Sequence, residues 1–125
     1  LTKERRPGER SPGLFVAGWG LAAYLRGMDR SDLIQRLHQI EPQLRAHGVA
    51  ALFLFGSRAR DEARPGSDVD LFADAEPERF GLDRYAEAYD LIEAALPDME
   101  VGFSTRGAIA PAYRETIENE AIRIF

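Results

Sequence analysis

Seven consecutive apolar residues, Val49–Phe55 (VAALFLF), lie between Gly48 and Gly56, and this run more than any other feature limits what the chain can fold into. An apolar run this short, closed by a glycine at each end, suits a strand buried on both faces better than a helix. After a polar, turn-rich interval, Asp68–Ala73 (DVDLFA) alternates polar and apolar residues, the pattern of a strand with one face on a core and the other open. Ahead of the first strand, Leu33, Ile34, Leu37, Ile40 and Leu44 recur at helical spacing, with Ser31 as the expected N-cap and Gly48 as the stop. Pro42 lies inside that pattern and should kink the helix or split it in two. Beyond the first strand, Arg58–Ala63 predicts a short helix and Arg64-Pro65-Gly66-Ser67 a turn. Further on, Leu82–Leu96 predicts an amphipathic helix whose Tyr85 and Tyr89 pack on the sheet. Met99–Ser104 is a short strand, Pro111–Glu120 a helix, and Ala121–Phe125 a last strand-like segment. The order implies a single α/β (α+β) domain, a short mixed sheet flanked by helices.

The 125 residues suffice for one compact core and not for two ordinary ones. With no cysteine, disulfides and thiolate metal sites are excluded. The net charge of −5 is uneven: residues 1–27 carry +3 and residues 28–125 carry −8. An acidic body lacks the basic footprint that sequence-independent nucleic-acid binding needs, so no direct nucleic-acid binding is expected. Residues 1–13 read as a flexible charged tail, and 1–27 as an N-terminal extension ahead of a domain over 28–125. The apolar stretch Leu14–Leu25 is too short to span a bilayer and is followed by no A-x-A cleavage site. The expected location is therefore the cytoplasm, with no membrane partner.

Two features stand at a fixed distance. Gly56-Ser57 ends one strand, and ten residues later Asp68-Val69-Asp70 opens the next. In a strand, residues i and i+2 share a face, so Asp68 and Asp70 project together while Val69 and Leu71 enter the core. Like charges held so close repel unless a cation lies between them, and Mg²⁺ is satisfied by one or two carboxylates, water and substrate phosphates. Two such ions would stabilise the attacking and leaving oxygens of a displacement at phosphorus. Gly56, lacking a Cβ, lets a phosphate approach the backbone, and Ser57 offers a hydroxyl and an N–H. Arg58 or Arg60 could neutralise the triphosphate, and Ser67 borders the same loop.

The stretch LFGSRARDEARPGSDVDLFAD resembles the signature of the DNA polymerase β-like nucleotidyltransferases: Gly-Ser, ten residues, Asp-x-Asp. It is most similar to the minimal nucleotidyltransferases of toxin–antitoxin pairs, and the segments MEVGFSTRG and APAYRETIENEAIRIF extend the likeness from Met28 to Phe125. The resemblance implies transfer of AMP from ATP, with two Mg²⁺ ions, to a tyrosine of a HEPN ribonuclease toxin. It implies that Asp68 and Asp70 bind metal and that Gly56, Ser57, Arg58, Arg60 and Ser67 bind nucleotide. Relatives carry a third carboxylate, usually Asp, on a neighbouring strand. Glu100 is the best match here as metal ligand and activator of the acceptor, with Asp98 a weaker substitute. A register shifted by two puts Gly102 in that place and leaves only two carboxylates. Transfer to a small molecule such as an aminoglycoside, and a non-catalytic antitoxin that masks its partner, are the alternatives.

Overall fold

A computed structural model of the chain describes residues 29–64 and 66–125. The expected N-terminal extension over 1–27 lies outside the described residues. The elements run α1 (Arg30–Gln39), α2 (Glu41–Ala46), β1 (Val49–Phe55), β2 (Val69–Ala75), α3 (Leu82–Ala95), β3 (Val101–Thr105), a 3₁₀ turn (Arg106–Ala108), α4 (Pro111–Glu120) and β4 (Ile122–Arg123). Pro42 splits the first helical pattern as expected: α1 ends at Gln39 and α2 restarts with the proline in its first turn, where a missing N–H costs nothing. The N-cap of α1 is Asp29, not Ser31. Its Oδ1 accepts from the Asp32 N–H at 2.9 Å, which starts the helix two residues earlier, and the Arg30 guanidinium donates to the Ala59 carbonyl at 2.7 Å.

The four strands form one mixed sheet in the order β3-β2-β1-β4. β1 pairs antiparallel with β2 and with β4, while β2 and β3 run parallel, joined by the crossover through α3. Alternation sends Leu52 and Leu54 of β1, Val69, Leu71 and Ala73 of β2, and Val101 and Phe103 of β3 to one face. There they pack with Leu33, Leu37, Leu44, Ala88, Ile92 and Leu96 of the helices and their ends, and Ile124 and Phe125 of the C-terminal arm join the same cluster. The opposite face carries Phe53, Phe55, Asp70, Phe72, Asp74, Gly102 and Ser104. Phe72 is fully buried there by stacking on Phe53 at 4.7 Å and by a tilted contact with Phe55.

Two devices finish the sheet. The Tyr85 and Tyr89 hydroxyls donate to the Phe103 and Val101 carbonyls, so the pair, Tyr85 stacked on Phe103 and Tyr89 edge-on to it, covers carbonyls at the free edge of β3. Arg106 donates to both oxygens of Asp74, at 2.7 and 2.9 Å, and to Glu118 at 2.7 Å, and lies 5.0 Å over the rings of Phe53 and Phe72. This clip ties α4 to the second face. No helix among the described residues is long and apolar enough to cross a membrane.

Candidate active site

The antiparallel turn from β1 to β2 explains the ten-residue spacing. Phe55 pairs with Asp70, so the end of β1 and the start of β2 meet at one end of the sheet, and β3 starts at that same end because it runs parallel to β2. Gly56, Ser57, Asp68, Asp70 and Glu100 are thereby brought to one rim.

Gly56 and Asp70 interlock. Gly56 adopts φ +76°, and a Cβ there would stand 2.4 Å from Asp70 Oδ2, so only glycine admits this carboxylate in this place. Asp70 is half-buried, whereas Asp68, expected to open the strand, lies just ahead of it, exposed and near enough for its charge to act on Asp70. Burial pushes the Asp70 carboxyl above its ordinary range, the charges of Asp68 and Glu120 push it further, and Arg60 opposes them. The donor set fits a hard divalent cation: two neighbouring carboxylates, one desolvated and one exposed, whose mutual repulsion a positive charge would relieve. Among the described residues no group of three or more acidic or histidine side chains closes on a metal position.

The segment expected as a short helix over Arg58–Ala63 is a single turn. Ala59 N–H and Arg60 N–H both bond the Gly56 carbonyl, at 3.0 and 3.1 Å, and Asp61, with φ +60°, ends it. Among the described residues nothing hydrogen-bonds the Ser57 N–H or hydroxyl, which leaves both for a ligand. Arg58 differs from its expected position on a phosphate. It is 3 % exposed, and its Nη2 donates to the Ser67 carbonyl at 2.9 Å, so it braces the loop from within and sets Asp68 at its end. Burial lowers the affinity of that guanidinium for its proton and Asp68 raises it. Ser67 likewise turns inward: its hydroxyl accepts from the Arg64 N–H at 2.9 Å and closes the turn. Arg60 is exposed, and both of its ion pairs, to Glu62 and Glu120, are at 3.0 Å.

The third carboxylate is where sequence and structure part. Register pairs Asp70 with Gly102, so the strand position beside Asp70 has no side chain, and a Cβ there would stand 3.5 Å from Asp70 Oδ1. Glu100 precedes β3. Its carbonyl accepts from the Val69 N–H at 2.8 Å, its carboxylate lies near enough to Tyr89 to raise that phenol's affinity for its proton, and it closes no metal cluster with Asp68 and Asp70. Gly102, and not Glu100, is the residue of the third strand that pairs with Asp70. Asp98 lies in the turn after α3, further still from the start of β3. Glu120 was not anticipated: its Oε2 accepts from the Gly56 N–H at 2.8 Å. It lies 64 residues from Gly56, at a helix end whose surroundings only tertiary pairing reveals.

A glycine turn interlocked with one of two paired carboxylates, on the open face of a small mixed sheet, defines a site for phosphoryl or nucleotidyl transfer. The chain belongs to the nucleotidyltransferase domain family, whose model matches residues 32–124. It is 34% identical over 86 residues to a protein of Methanocaldococcus jannaschii named as a candidate protein adenylyltransferase, covering 69% of this chain and 90% of that one. Among solved structures it is similar to one described as a candidate minimal nucleotidyltransferase, with a TM-score of 0.66, 34% identity, and coverage of 76% of this chain and 95% of that one. A toxin–antitoxin structure with AMP-PNP shares the fold at a TM-score of 0.58 and 16% identity, covering 74% of this chain and 72% of that one.

Proposed function

We propose that this nucleotidyltransferase transfers AMP from Mg²⁺-bound ATP to a tyrosine hydroxyl of a partner protein, a HEPN ribonuclease toxin, and so acts as an antitoxin. The observation that carries the reading is the interlock of Gly56 with Asp70, with the charge of Asp68 close by. The relative named for protein adenylylation supports AMP and a protein acceptor, and the toxin–antitoxin fold relative supports the kind of partner.

Asp68 and Asp70 would hold Mg²⁺, which supplies positive charge to the phosphates and to the oxygen that leaves with pyrophosphate. Gly56 keeps the space beside Asp70 open, and Ser57 offers its N–H and hydroxyl, unpaired among the described residues, to phosphate oxygens. Arg58 keeps the Asp68 end of the loop in place from inside. Most of the rate would come from positioning and charge.

Gly102 also bears on the acceptor. With no carboxylate at the β3 position paired with Asp70 to take a proton, an acceptor that ionises readily is favoured. A phenol does so at about pH 10, far more readily than water or an aliphatic hydroxyl. Tyrosine suits this site better than the aliphatic hydroxyls of an aminoglycoside.

Gly102 favours a second reading too, in which the chain masks its partner without modifying it. Incubation of the partner with α-labelled ATP and Mg²⁺ separates the two. Label on the partner with wild type, absent with Asp68→Asn, supports adenylylation; a stable unlabelled complex with both supports masking.

A further inference from the structure

We propose that Glu120 is a positioning residue of the nucleotide site, holding the Gly56–Arg60 turn in the shape that receives the triphosphate. This rests on the nucleotidyltransferase reading and adds to it a residue 50 positions beyond Asp70, on a different element. β4 pairs with β1 through Phe53–Arg123 and Leu54–Ile122, and the same register carried back sets Glu120 opposite Gly56. α4 ends at Glu120, so the regular ladder stops there and the side chain takes its place. One carboxylate oxygen accepts from the Gly56 N–H at 2.8 Å, and the other meets Arg60 Nη1 at 3.0 Å. Gly56 and Arg60 are the two ends of the turn, already closed by Arg60 N–H on the Gly56 carbonyl at 3.1 Å. Glu120 therefore grips both ends at once, and between them the Ser57 N–H and hydroxyl have no hydrogen-bond partner among the described residues, its carbonyl alone being taken by the Glu62 N–H at 2.9 Å.

The charge of this carboxylate works against anion binding, and Arg60 offsets it. What Glu120 contributes is reach: a bond to the backbone of the glycine that must hold φ +76° against Asp70. Anchorage of α4 does not depend on it, because Arg106 already ties Glu118 to Asp74.

The test separates reach from charge. Binding of a non-hydrolysable ATP analogue with Mg²⁺ is measured by calorimetry on wild type, Glu120→Gln, Glu120→Asp and Glu120→Ala, with thermal midpoints recorded alongside. Gln keeps the length and one acceptor oxygen, enough for the Gly56 N–H, and gives up only the exposed Arg60 contact, so it should stay within about threefold of wild type. Asp keeps the charge but falls one methylene short; it and Ala should weaken binding about tenfold, the loss of one charge-assisted hydrogen bond. Should Ala fail to fold, the contrast between Gln and Asp decides alone. Equal affinity in all four makes Glu120 a tether of α4 only. Tighter binding by Gln and Ala makes it an anion that nucleotide must displace. Either result overturns the proposal. A wild type that binds no Mg²⁺–analogue overturns the nucleotidyltransferase reading itself, and the proposal with it.

Discussion

Replacing Asp70 by Asn should stabilise the metal-free protein. Asp70 is half-buried and senses the charges of Asp68 and Glu120, with Arg60 as the opposing charge. Its carboxyl is held above the ordinary carboxylate value in the folded state, so the ionised form costs folding free energy. The penalty is absent below the unfolded value of about 3.9, grows as pH rises from there to the elevated folded value, and is fully present above it. Neighbouring same-face positions on a strand lie about 6–7 Å apart, where like charges repel by about 1–2.5 kcal/mol at an effective dielectric constant of roughly 20–40. Asp68 is exposed, and salt reduces this to about 1 kcal/mol, or roughly 4–8 °C in a domain of this size. Thermal unfolding in EDTA at pH 7 should show Asp70→Asn melting higher by that amount, with the difference gone near pH 3. With Mg²⁺ and nucleotide the order should reverse, because only wild type gains the ligand. A variant that melts lower in EDTA at pH 7 would mean that the carboxylate makes structural bonds, and would refute the reasoning.

Three further outcomes follow from the same geometry. Gly56→Ala should cost at least about 2 kcal/mol by chemical denaturation and abolish nucleotide binding, because a Cβ would stand 2.4 Å from Asp70 Oδ2 on a left-handed backbone. Gly102→Asp has room for its Cβ, at 3.5 Å from Asp70 Oδ1, and should lower the metal-free midpoint by a few degrees through added repulsion. It should also tighten Mg²⁺–nucleotide binding about tenfold by calorimetry, since a third carboxylate then faces the ion. Arg106→Ala should cost about 1–2 kcal/mol by denaturant titration, less than a buried pair, because Arg106, Asp74 and Glu118 each keep about a third of their surface in solvent.

Strand β1, the split at Pro42 and the placement of Asp68 beside Asp70 are legible because each follows from local pattern: apolar run, proline position, period-two alternation. The ten-residue spacing is legible for the same reason, as the length of one return between antiparallel strands. The third carboxylate is not, because which residue of β3 stands beside Asp70 depends on parallel register, which the sequence between Leu96 and Val101 leaves open by two residues. Arg58 and Arg60 look alike in sequence, but the turn buries one and exposes the other. Glu120 is invisible to local reading, because its role depends on β4 returning to pair with β1.

Adenylylation of a partner protein through Asp68 and Asp70 is tested most directly by the intact mass of the co-expressed partner, purified with wild type and with Asp70→Asn. The account predicts a partner heavier by one or more AMP units with wild type and unmodified with the variant. An unmodified partner that still binds in both cases would contradict it.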